Sequence, residues 1–148
     1  VDLVAMENGG RAVSWNDASF GSTVSALMLP GRGVNMGDGW ETRRRREPGN
    51  DWCIVALARP GVLSAIEVDT CHFKGNFPDT FMLEGTNSTT DDLSSAKWST
   101  IIERTKLQAD HEHHYEQEVR RAEPVTHVRL SIFPDGGVSR MRLWGTIV

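Results

Sequence analysis

No stretch of this chain sustains the three-to-four-residue apolar period of a helix, while short alternating or β-branched runs recur between Gly, Pro and Asp turns. Residues 52–57 (WCIVAL) form an apolar run of strand length. Arg59-Pro60-Gly61 reads as a turn, and residues 62–70 then alternate. Val62, Ser64, Ile66 and Val68 fall on one side, with Leu63, Ala65, Glu67 and Asp69 on the other. The two runs predict a hairpin. Residues 80–84, 98–103, 113–119, 125–133 and 138–148 are further strand candidates, with Pro134–Gly137 as a turn. Residues 86–97 are polar and read as a loop, as does Gly-rich 32–39. Residues 14–17 read as a turn or loop, and one short helical turn is expected before Pro30. About eight short strands argue for an all-β fold, an antiparallel sandwich or jelly roll, in one domain spanning 1–148.

Composition narrows the function classes. Sixteen Lys and Arg against twenty Asp and Glu give a net charge of −4, which argues against a nucleic-acid partner. No run approaches the roughly 20 apolar residues that span a bilayer, so no membrane partner is expected. Cys53 and Cys71 are too few for a disulfide scaffold. Both fall in expected strands, where a free Cys acts as a small buried hydrophobe. A reduced, intracellular and cytoplasmic setting is the expectation. The chain opens on Val1 without an initiator Met or a signal pattern, as a processed product or excised fragment would.

Chemistry concentrates between Gly31 and Asn76. Seven glycines, two tryptophans, the run Arg43–Arg46 and a group of Asp, His, Lys and Asn share less than a third of the chain. The arginines suit a carboxylate ligand, which each can grip through two parallel hydrogen bonds. A strand would put two on each face, and charges on an edge strand also serve simply to block aggregation. Glu41, Asp51 and Asp69 are candidate acceptors or bases, and Asp51 could equally cap a turn. His72 carries an imidazole, the side-chain type that suits a proton shuttle. Lys74 and Asn76 follow on the same loop. Trp40 and Trp52 suit either a pocket wall or the core. His111-Glu112-His113-His114 carries good metal ligands, but adjacent strand residues point to opposite faces, so a surface loop is expected. A divalent ion linking Asp69, His72 and one of these imidazoles is compatible with the spacing, not required by it; no other cofactor is called for.

Residues 38–46 (DGWETRRRR), 48–52 (PGNDW), 67–76 (EVDTCHFKGN), 127–140 (HVRLSIFPDGGVSR) and 143–145 (LWG) closely resemble the repeat of allantoicase, allantoate amidinohydrolase. The blocks are ordered and cover nearly the whole chain. The resemblance implies a β-sandwich of the galactose-binding-like type, and hydrolysis of allantoate to ureidoglycolate and urea in purine breakdown. The family carries two tandem repeats where this sequence holds one, so a homo-oligomer or pairing with a second repeat is implied. Allantoate is a small molecule with one carboxylate and two ureido groups on one carbon. Its site needs a cation, acceptors for ureido N–H groups and a group that moves protons. Asp69, His72 and Glu41 are the expected catalytic residues, with Arg43, Arg45, Lys74, Asn76, Asp51 and Trp40 expected to bind substrate. The rival readings are a non-catalytic ligand-binding sandwich and the inactive half of a two-repeat enzyme.

Overall fold

The structure, a computed structural model, describes residues 1–120 and 123–148. Among the described residues nine strands carry the fold: β1 (Arg11–Trp15), β2 (Trp40–Glu41), β3 (Asp51–Asp69), β4 (Thr80–Thr86), β5 (Ser99–Lys106), β6 (Glu112–Tyr115), β7 (Val125–Phe133), β8 (Gly137–Val138) and β9 (Arg140–Ile147). Short 3₁₀ turns at Met6–Asn8 and Val24–Met28 are the helical elements among the described residues. The second is the turn expected before Pro30. It is capped at its start by the Thr23 hydroxyl, which accepts the Ala26 N–H.

β3 organises everything else. It was expected to be two strands of a hairpin, yet it runs unbroken for 19 residues. Its first part pairs with β1 and β7 (Cys53↔Leu130, Val55↔Val128), and its second with β9 and β6 (Ile66↔Leu143, Glu67↔His114). Pro60 does no harm because the ladder to β7 is irregular between Ala56 and Gly61. Gly61 then lets the chain pass close to the core, since a Cβ there would lie 2.5 Å from Leu3 Cδ1. Arg59-Pro60-Gly61 thus re-aims a strand instead of reversing it.

The result is a layer ordered β1-β3-β7-β4-β5 folded over the β6-β3-β9 portion, with every pairing antiparallel. One buried apolar cluster fills the space between, including Val55, Ile66, Phe81, Leu130, Ile132 and Leu143. β7 and β9 do not pair with each other, although they are consecutive long strands. Each takes one half of β3.

Local departures from the sequence reading have local causes. A bulge between Leu63 and Ala65 shifts the alternation, so Leu63 joins Ile66 and Val68 in the core. Ser14 and Trp15 belong to β1 and not to a turn, paired through a bulge to Ile54 and Cys53. β6 stops at Tyr115, short of Val119. Cys53 lies in β3 with its thiol pKa pushed up by burial, whereas Cys71 lies on the turn beyond β3; both are free and buried.

The turn from Pro134 to Gly137 is packed tightly against residues 73–78. Gly136 has φ 128°, and a Cβ on Gly137 would sit 2.0 Å from the Phe73 ring. Gly75 has open space around it. Gly137→Ala is therefore expected to cost about 1–3 kcal/mol through overpacking, while Gly75→Ala changes stability by less than about 0.5 kcal/mol. Urea denaturation of both variants checks this.

Candidate functional site

The arginine run begins where β2 ends, so Thr42 to Arg46 are irregular and do not alternate as a strand would. Side chains and turns hold this segment. The Thr42 N–H donates to Gly136 O at 2.9 Å, the Arg43 N–H to Asp17 Oδ2 at 2.6 Å and the Arg45 N–H to Asp135 Oδ2 at 2.9 Å. The Arg45 side chain folds inward, and its Nη1 donates to Asp51 Oδ1 at 2.7 Å. Asp51 is 2 % exposed, and its Oδ1 also accepts from Asn16 Nδ2 at 3.0 Å. Arg43, Arg44 and Arg46 stay exposed.

Two groups in this pair are unmet. Asp51 Oδ2 and Arg45 Nε are buried with no hydrogen-bond partner among the described residues. Each such atom costs about 1–3 kcal/mol of desolvation. A fold seldom tolerates that without a return elsewhere, and unmet buried polar atoms mark places where water or a ligand group completes the site.

Arg44 and Arg45 separate two open grooves. One, of about 440 Å³, is lined by Asn16, Asp17, Arg43–Arg46, Glu47 and Asp51. The other, of about 680 Å³, includes Phe20, Glu41, Asn76 and Asp135. Within it Asn76 Nδ2 donates to Glu41 Oε2, which leaves the amide oxygen of Asn76 open as an acceptor. Cations, carboxylates and a neutral amide thus converge on one surface, the set that an anionic ligand with N–H groups calls for.

The family model described as the allantoicase repeat matches residues 1–148. The chain belongs to the allantoicase family. It is 57 % identical over 151 residues to a probable allantoicase of Ralstonia nicotianae, covering 99 % of this chain and 45 % of that protein. The crystal structure of allantoicase from Saccharomyces cerevisiae superposes with a TM-score of 0.88 at 42 % identity, covering 99 % of this chain and 43 % of that one. The family 32 carbohydrate-binding module of Streptococcus pneumoniae EndoD, at 8 % identity and TM-score 0.67 over 99 % of this chain and all of that one, shares the fold alone. The chain spans less than half the length of the allantoicases it matches.

The allantoicase resemblance draws on residues that the structure divides between two places. Glu41, Arg43, Arg45, Asp51 and Asn76 surround the paired grooves, with exposed Lys74 on the loop leading to Asn76. Trp40 does not wall a pocket. It is fully buried, with its Nε1–H donating to Asp17 O at 2.8 Å. Asp69 and His72 lie in a second cluster that fastens the 31–39 loop. Both Asp69 oxygens accept from Arg32, at 2.9 and 3.0 Å, and His72 Nε2 lies 2.6 Å from Gly33 O. Buried Arg140 adds bonds to Gly31 O, Asp38 O and Asp38 Oδ1. These arginines escaped the sequence reading, and so did Asn16 and Asp135. Arg140 was visible only as the last residue of the 127–140 block that carries the family resemblance.

The metal arrangement linking Asp69, His72 and the 111–114 histidines is not formed, because Asp69 and His72 have the partners just given. The ligand atoms that do converge, within 4.8 Å of one another, belong to Glu67, Glu112 and His114, with Arg32 Nε already 3.3 Å from Glu112. The 111–114 segment is largely strand β6 and not a surface loop. His113 points inward, its Nδ1 at 2.9 Å from Val68 O and its Nε2 accepting the Gln108 N–H at 2.9 Å. No helix among the described residues is long and apolar enough to cross a membrane.

Two predictions come from this packing. Arg45→Met strands the Asp51 carboxylate in a buried position and is expected to destabilise by about 3–5 kcal/mol, against less than about 0.5 kcal/mol for exposed Arg46→Ala, read by chemical denaturation. Burial holds the His113 imidazole below its ordinary value of 6.5. The unfolded chain therefore binds its proton first, so the stability from neutral His113 is complete above that value and is lost as pH falls below it. Between pH 7.5 and 5.5, His113→Gln should show a smaller loss of denaturation midpoint than the wild type.

Proposed function

We propose that this chain is one repeat of an enzyme that hydrolyses allantoate to ureidoglycolate and urea in purine degradation, acting when paired with a second repeat. The observation that carries the reading is the surface at Arg43–Asp51, where exposed guanidinium groups stand beside Glu41 and Asn76 in a chain of this family. Its half-length against full allantoicases favours the paired form over a stand-alone enzyme.

Arg43 and Arg44 would grip the substrate carboxylate, which a guanidinium holds in a bidentate fashion. Glu41 would accept ureido N–H groups and carry the proton, and the Asn76 oxygen would orient the same group. In the net reaction the bond from the central carbon to one ureido nitrogen breaks and a bond to the water oxygen forms. One water proton ends on the departing urea. Arg45 and Asp51 position the run and do not touch substrate first, because their charges already face each other at 2.7 Å.

Urea release from allantoate tests the reading, using this chain alone and then mixed with the remaining half of the Ralstonia nicotianae protein. Release in either arm is expected, with Arg44→Ala raising KM at least about tenfold, the cost of one charged hydrogen-bonded contact. No urea in both arms would reject the assignment.

A further inference from the structure

The groove that holds Glu41 and Asn76 has an apolar rim which this chain leaves uncovered. Phe20 lines it and is 69 % exposed. Met36 arrives from the 31–39 loop, with its sulfur 4.0 Å from the Asn76 amide, and is 47 % exposed. Val34, two residues earlier, is 77 % exposed. Single exposed apolar side chains are ordinary on any protein. Phe20 and Met36 meet at the mouth of one groove and call for a reason, and Val34 adds exposed apolar surface on the same loop as Met36.

Phe20 supplies a second, independent observation. Its φ is 59°, in the left-handed region, and Gly21 follows at 74°. A bulky residue in that region is strained, whereas glycine enters it freely. The ring does not recover that strain by burial, since most of it faces solvent. Strain retained with no return inside the molecule belongs to a contact made with something else.

The charges around the rim say what that something is. No carboxylate among the described residues lies in ion-pair range of Arg43, Arg44 or Arg46, while Asp17, Glu47 and Asp135 border the same grooves. An apolar centre ringed by both signs can face its own kind across a two-fold axis, Arg46 of one copy meeting an acid such as Glu47 of the other while Arg43 and Arg44 stay with the substrate. The family model is that of a repeat, and the relatives it matches are more than twice as long as this chain, which leaves room in them for a second domain of this kind.

We infer that Phe20, Val34 and Met36 form the surface on which a second allantoicase repeat docks, and that this docking roofs the groove. The inference rests on the reading that repeats act in pairs. It adds the face they use and makes Phe20 the central contact of that face.

Sedimentation velocity of the chain from about 1 to 200 μM, with a second copy of itself as partner, is the test. The wild type is expected to pair as concentration rises. Phe20→Gly should weaken pairing at least about tenfold without lowering the melting temperature, because glycine relieves the left-handed strain; Phe20→Tyr should pair like the wild type. A wild type that stays monomeric throughout overturns the inference, and so does unchanged pairing of Phe20→Gly. A fall in its melting temperature of more than about 4 °C would also overturn it, since the ring would then be a structural element. Urea release read on the same samples separates the two proposals. Pairing that depends on Phe20 but yields no urea supports the docking face and counts against the activity. Urea released by a monomer does the reverse.

Discussion

The close approach of the Gly136-Gly137 backbone to the Phe73 ring holds the candidate site together. With no side chain at either position, the Pro134–Gly137 turn sinks against the 73–78 loop, and the Gly137 N–H reaches Asn76 O at 2.8 Å. The same turn offers Gly136 O to Thr42, the Asp135 carboxylate to Arg45 and Pro134 O to the Asp51 N–H. Three segments distant in sequence are thereby fixed to one piece of backbone: the arginine run, the start of β3 and the Asn76 loop. A site on loops gains the rigidity of strands when its loops share bonds in this way.

Charge is divided in the molecule according to how deeply it is committed. Around the 31–39 loop, Arg32, Arg140 and Arg142 spend donors on carbonyls and on Asp69 and Asp38, around a small cavity of about 190 Å³ that Glu67 and Glu112 also line. At the grooves only Arg45 is spent in that way. Arg43, Arg44 and Arg46 keep their guanidinium groups in solvent, and a cation without a partner is the one available to a ligand. Asp69 and His72 lie close in sequence to Asn76 yet belong to the other cluster. Phe73, wholly buried between them, turns the chain over and sends the two ends of this short segment to different networks.

What could be read from the sequence was whatever depended on neighbours along the chain. β7 matched its alternating run at both ends, the Gly-rich loop lay where its composition put it, and the polar loop began one residue later than its composition suggested because Thr86 still pairs with His127. What could not be read depended on partners far away. Residues 59–61 have every mark of a reversing turn, and only the separate pairing of β7 and β9 with the two halves of β3 keeps the strand going. The bulge at 63–65 is invisible to a period-two pattern and changes which side chains are inside. Trp40 is equally at home in a wall or a core by type, and its burial is decided by the Asp17 carbonyl waiting for its N–H. The site residues divided on the same principle. Glu41, Asn76 and the arginine run could be singled out by residue type and lie along the adjoining grooves, while Asn16 and Asp135 join them through contacts 35 and 90 residues away.

Fold likeness alone would leave the activity open, because a carbohydrate-binding module has the same architecture at 8 % identity. The case for a catalytic repeat rests on what this scaffold carries at its rim. A binding surface for a neutral sugar has no use for three guanidinium groups that pair with no carboxylate among the described residues, and a surface merely kept soluble has no use for an ion pair drawn inside with two atoms unmet among those residues. The Arg45–Asp51 pair becomes intelligible if its task is orientation. By drawing one arginine inward and tying its backbone to Asp135, it constrains where Arg44 and Arg43 emerge, so that Arg44 borders the groove of Glu41 and Asn76 while Arg43 lines the adjoining one.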